Sequence, residues 1–160
     1  MLPTRRVSRR ARLRVHVMAD GPTVYRAEMW LRPGPLGPPM HRHPGFEERV
    51  RVQSGRLRIR QGEHTRRLRR GDEGVIPPGE WHNLANRWIR PARFITEVRP
   101  AGSFRTFFDG LSALSAGIPR PAAVAVLFRR HRAEIELRPL ARLTVATVAV
   151  VASRFRRATR

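Results

Sequence analysis

Along much of the first hundred residues, apolar side chains recur at every second position. Phe46, Glu48, Val50 and Val52 share one face of an extended segment, while Glu47, Arg49, Arg51 and Gln53 share the other. Gly55 marks a turn, after which Leu57 and Ile59 alternate with Arg56, Arg58 and Arg60. Leu13 to Met18 and Val24 to Leu31 are rich in β-formers. They are bounded by Asp20-Gly21-Pro22 and by the Pro/Gly segment Pro33 to Pro39. The same reading predicts strands at Thr65 to Leu68, Glu73 to Ile76, Trp81 to Asn86 and Ala92 to Val98. Many short strands separated by glycine turns predict a mainly β domain, a sandwich or a barrel.

After Pro100 the period changes. Phe104, Phe107, Phe108, Leu111 and Leu114 fall at helical spacing, with Ser103 placed as N-cap and Gly117 and Pro119 ending the run. A second helical face follows in Val124, Leu127, Phe128, His131 and Ile135. Pro139 suits the first position of a third helix, although the valines and threonines of Leu140 to Phe155 also suit a strand. The expected organisation is a β domain over residues 1–100 and a C-terminal helical extension over 101–160.

Composition narrows the picture. A chain of 160 residues without cysteine has no disulfide framework, no thiolate zinc site and no cysteine nucleophile. Met1 to Asp20 lacks an apolar h-region, and the apolar run Leu143 to Ser153 falls short of the roughly 20 residues that span a bilayer. A cytoplasmic protein is expected. The net charge is +21, and all 33 basic residues are arginine. Phosphate-binding surfaces use lysine as well, so a total absence of lysine fits a coding bias of the source genome.

Arg49, Arg51, Arg56, Arg58 and Arg60 are expected on one outer sheet surface, with Arg66, Arg67, Arg69 and Arg70 nearby. No aromatics interleave with them to stack on bases, so nucleic acid is not an expected partner. The apolar C-terminal stretch is flanked by Arg138 and Arg142 and by Arg154, Arg156 and Arg157. As a helix of about 16 Å it is suited to lie against an anionic membrane surface, or to pack on the barrel or a second subunit.

The chemistry sits in two short stretches. His41-Arg42-His43 is followed by Glu48, and His82 comes after Pro77-Pro78-Gly79. If the first stretch is extended, His41 and His43 share a face. Glu48 points inward with Phe46, Val50 and Val52, where a carboxylate is costly unless it is paired. Pro78-Gly79 supplies the centre of a type II turn, which starts a strand placing His82, Leu84 and Asn86 on one face. Three imidazoles and one carboxylate can hold a divalent transition metal and leave positions open for substrate or oxygen. His16, His64 and His131 lie outside these stretches and are expected at the surface or an interface. Trp30 and Trp81 are expected in the core or lining the pocket, and Glu47 is expected to face outward.

His41-x-His43-x4-Glu48-x6-Gly55 resembles the first motif of the cupin superfamily, and Gly71-x5-Pro77-x-Gly79-x2-His82-x3-Asn86 resembles the second at every named position. The resemblance spans about residues 25 to 100. One departure is Pro35, which stands where the first motif usually opens with glycine. The resemblance implies a small single-domain jelly-roll β-barrel, with one divalent metal (iron, manganese, nickel, copper or zinc) held by His41, His43, Glu48 and His82. It further implies a small-molecule substrate, a homodimer, and metal-dependent chemistry of dioxygenase or isomerase type, with Glu48 as the candidate for proton transfer. The alternative is a non-catalytic cupin that binds or senses a small molecule.

Overall fold

The computed structural model describes residues 11–34, 38–115 and 121–138. Within them, the chain forms β1 (Leu13–Asp20), β2 (Tyr25–Leu31), β3 (His41–Arg42), β4 (Glu47–Ser54), β5 (Arg56–Gln61) and β6 (His64–Arg69). It continues through β7 (Glu73–Ile76), β8 (His82–Ala85), β9 (Ala92–Arg99), helices α1 (Phe104–Leu114) and α2 (Pro121–Arg130), and β10 (Glu136–Leu137). Two five-stranded antiparallel sheets result, ordered β1-β2-β9-β4-β7 and β10-β3-β8-β5-β6. This is the jelly-roll architecture, followed by two helices. Pro35, where the chain departs from the first motif, Gly117 and Pro119, and the expected third helix lie outside the described residues.

The two-residue period of the strands explains the core. Tyr25, Ala27 and Met29 of β2, Val50 and Val52 of β4, and Phe94 and Val98 of β9 point inward from the first sheet. Leu57, Ile59, Leu68 and Leu84 face them from the second. Burying each larger aliphatic or aromatic group stabilises the fold by roughly 1.5–3 kcal/mol. Gly74 on β7 lets the sheets meet closely, since a Cβ there would lie 2.6 Å from Cδ1 of Ile59.

Helix α1 lays Phe104, Phe107 and Phe108 on the barrel, with Phe108 stacked on Tyr25 at 5.5 Å. Near its C-terminal end the helix also reaches the edge strand. The hydroxyls of Ser112 and Ser115 donate to the Leu13 carbonyl at 3.2 and 3.0 Å.

Several expectations need correction. The helical face drawn through Ile135 is cut short, because α2 ends at Arg130 and the chain turns back to pair β10 with β3. Ser103 stands at the N-cap of α1 but makes no side-chain cap. His131 is buried, at 4% exposure, whereas His16 and His64 are exposed as expected.

Trp30 and Trp81 are not part of the buried core. Both are partly exposed, Trp30 beneath the guanidinium groups of Arg14 and Arg93, and Trp81 beneath those of Arg42 and Arg138.

The arginine row is also divided, because β4 and β5 belong to different sheets. On the first sheet, Arg26 and Arg99 pair with Glu97, Arg49 with Glu47, and Arg93 with Glu28. Glu47 is therefore outward-facing, as expected. Among the described residues, Arg56, Arg58, Arg67 and Arg69 on β5 and β6 form no such ion pair.

Gly55 turns the chain from β4 into β5 at φ +77°, and a Cβ there would lie 2.5 Å from the Pro91 carbonyl oxygen. Left-handed backbone costs an L-residue about 1–2 kcal/mol before any clash is counted. Gly55→Ala is therefore expected to destabilise by at least that amount in denaturant unfolding. An unchanged midpoint would show that the Pro91 segment yields freely.

Candidate metal centre

The site is assembled from both sheets. His41 on β3 lies directly opposite His82 on β8 in the antiparallel register. His43 follows β3 by one residue, and Glu48 projects inward from β4 of the facing sheet. Gly79, at φ +78°, turns the chain before β8, and its N–H donates to the His43 carbonyl at 2.8 Å. The turn of the second stretch is thereby tied to the first.

All four predicted residues come together. Their ligand atoms lie within 4.8 Å of one another, and each side chain is buried. Each imidazole is held at Nδ1 by a main-chain carbonyl: His41 by Pro39 at 2.7 Å, His43 by Glu134 at 2.8 Å and His82 by Glu80 at 2.9 Å. A carbonyl only accepts, so Nδ1 carries the proton in each ring. In the neutral ring, Nε2 then presents a lone pair, the form that binds metals.

Glu48 completes the set. Its Oε1 accepts the Thr96 hydroxyl at 2.9 Å, and its Oε2 lies 3.3 Å from Nε2 of His43 and 3.2 Å from Nε2 of His82. Two imidazole lone pairs facing a carboxylate would repel it, so a cation, proton or metal ion, is needed between them. Nε2 of His82 is buried without a hydrogen-bond partner, as expected of an atom whose partner is a metal. The donor set and its orientation fit one divalent transition ion.

Burial lowers the His41 pKa well below its usual value, and the neighbouring His82 and His43 lower it further. Burial pushes Glu48 upward, but in the metal-free protein, where a proton between Glu48 and the Nε2 atoms makes His43 and His82 donors, their contacts outweigh this and hold it well below the usual carboxylate range.

Three contributors were missed in the sequence. Thr96 is a lone polar residue in the inward row Phe94, Thr96, Val98, and that break in the pattern was a readable signal. Phe104 packs edge-on against His43 at 5.0 Å, and Phe46 packs against Phe104 at 5.2 Å. The Glu134 carbonyl left no local signal, being 91 residues from its partner. Asn86, by contrast, is structural. Its Nδ2 donates to the carbonyls of Leu31 and Arg90, and its Oδ1 accepts from the Trp88 N–H.

Two antiparallel sheets enclosing a buried histidine and glutamate cluster define a β-barrel protein with a site suited to metal. Residues 27–97 match the family model described as Cupin domain, and the chain therefore carries a domain of the cupin superfamily. No curated protein sequence gives a significant match.

Solved structures share the fold. TT1209 from Thermus thermophilus is 22% identical, with a TM-score of 0.53 over 59% of this chain and 91% of that one. KdgF from Halomonas sp. is 20% identical, with a TM-score of 0.52 over 56% and 81% of the two chains. An uncharacterized conserved protein with a double-stranded beta-helix domain from Klebsiella pneumoniae is 23% identical, with a TM-score of 0.50 over 56% and 77%. At these identities the likeness establishes the fold alone.

Acid should destabilise the metal-free protein. The folded pKa values of His41 and Glu48 are depressed, so the unfolded chain binds more protons as pH falls. The stability tied to His41 is full above its unfolded value, about 6.5, and is lost as pH falls toward the folded value. His41→Gln is expected to flatten the decline just below pH ~6.5 in denaturation midpoints. Equal slopes in the two proteins would contradict this.

Proposed function

We propose that His41, His43, Glu48 and His82 hold one divalent transition metal per chain, and that the domain is a metal-dependent enzyme acting on a small organic molecule. The observation that carries this reading is the anchoring of all three Nδ1 atoms on carbonyls, which presents three Nε2 atoms and a carboxylate to one buried point. Mixed imidazole and carboxylate ligation suits iron, manganese, nickel, copper or zinc. When bound, such an ion would polarise a substrate oxygen and stabilise negative charge developing on it, as isomerase chemistry requires, and a redox-active ion of this set would also supply the electron transfer that dioxygenase chemistry requires.

The protein's own groups supply the rest. Thr96 holds one Glu48 oxygen and leaves the other turned to the imidazoles. Should Glu48 dissociate from the ion, its freed carboxylate is the group placed to take or return a substrate proton. Phe104 packs beside His43 and Phe46 packs on Phe104, and these apolar surroundings favour a small, partly apolar substrate. Among the described residues no helix is long and apolar enough to cross a membrane.

Elemental analysis of the untagged protein tests the site. About one metal per chain is expected, lost in His43→Ala and in His82→Ala. Glu48→Gln is expected to bind metal at least ~10-fold more weakly, since an anionic ligand is replaced by a neutral one. Wild-type protein that stays metal-free after reconstitution would defeat this reading. Metal held without turnover on any oxyacid or carbonyl substrate would favour a binding or sensing domain.

A further inference from the structure

We propose that Ser103, His131 and Glu134 form a latch that aims His43 at the metal. By this route the chain beyond the barrel sets how tightly and in what geometry the ion is held. The proposal rests on the metal-binding reading above. The three are positioning residues, acting on the centre through His43.

The three imidazoles are supported unequally. The Nδ1 acceptors of His41 and His82 are the carbonyls of Pro39 and Glu80, each two residues away. Those acceptors come with the local loop. The acceptor of His43 is the Glu134 carbonyl, 91 residues distant, and it must be held in place by something else.

The Glu134 side chain is that hold. Its Oε1 accepts the Ser103 hydroxyl at 2.7 Å and the Ser103 N–H at 3.3 Å. The same hydroxyl lies 2.7 Å from Nδ1 of His131. A carboxylate only accepts, so the Ser103 proton goes to Glu134, and the hydroxyl oxygen accepts from the His131 Nδ1–H. The direction excludes one attractive alternative. A nucleophilic serine gives its proton to the imidazole, so this trio is not a Ser-His-acid hydrolytic centre.

The main chain reinforces the latch. The His131 carbonyl accepts the N–H groups of Glu134 at 3.1 Å and Ile135 at 2.9 Å. Gly102, at φ +50°, leaves room for it, since a Cβ there would lie 2.8 Å from the Phe46 ring and 3.3 Å from Cγ of Glu134. Beyond Ile135 the chain enters β10, which pairs Leu137 with His41 and joins Glu136 to Arg42 at 2.8 Å. Both histidines of the first stretch are thus braced by chain that follows α2.

Titration of the full-length apoprotein with cobalt(II) tests the latch, since its visible absorption reports ligand geometry independently of turnover. Glu134→Ala keeps all four candidate ligands, the carbonyl that meets His43 and the main-chain bonds to the His131 carbonyl, and removes only the side-chain anchor on Ser103. It is expected to weaken cobalt(II) binding about 10-fold, the lower end for supporting groups around a metal, and to change the absorption bands. Ser103→Ala should act in the same direction, and Ser103→Thr, which restores the hydroxyl, should recover the wild-type affinity and spectrum. A purely structural role would lower the melting temperature of the apoprotein and leave affinity and spectrum intact. Unchanged affinity and spectrum in Ser103→Ala would overturn the latch, even if Glu134→Ala failed to fold. A wild-type protein that binds no cobalt(II) would remove the metal reading, and the latch with it.

Discussion

Everything around the site depends on one buried carboxylate. Glu48 stands in the same inward row as Val50 and Val52, at 3% exposure, with two imidazole nitrogens close to one of its oxygens. An ionised carboxylate in such surroundings costs several kcal/mol unless it is compensated, comparable to what two or three buried aliphatic side chains contribute. Thr96 satisfies one oxygen. The other requires positive charge, and the barrel is arranged so that three Nε2 atoms and this oxygen surround a single point. The cost of burying Glu48 and the affinity for a cation are two aspects of the same geometry.

Support for that geometry comes from two distances along the chain. Short loops carry their own acceptors for His41 and His82, and the Gly79 turn links the two stretches through one main-chain hydrogen bond. The third imidazole depends on the region that follows the barrel. The aromatic cluster Phe104, Phe107 and Phe108 fastens α1 to the core, and the turn after α2 returns the chain to the edge of β3. The helices therefore do more than cover apolar surface, because they deliver the Glu134 carbonyl to the centre.

The distribution of charge follows a different logic. A bias that replaces lysine with arginine changes which cation is present without moving the carboxylates. Glu28, Glu47 and Glu97 on the first sheet pair with arginines, while β5 and β6 carry arginines and no carboxylate. Exposed pairs contribute about 0–1 kcal/mol each, so this asymmetry shapes the surface potential far more than it does stability.

The two-residue alternation was sufficient to read the main runs of the barrel strands, the inward face of β4 and the spacing of all four candidate ligands, because face and period are local properties of an extended chain. It also held the clue to Thr96, as a polar residue in an apolar row. Periodicity could not reveal which strands become neighbours. That is why Arg51 and Arg56, close in the chain, fall on different sheets, and why β10 and its pairing with β3 were not foreseen. Nor could it show that His131, on a helical face otherwise apolar, is buried against Ser103. Main-chain carbonyls carry no side-chain identity, so the acceptor of His43 exists as a functional group only once packing brings Glu134 to it. The four residues that cluster at the candidate site were legible in the sequence; the orientation of His43 was decided by a contact between distant parts of the chain.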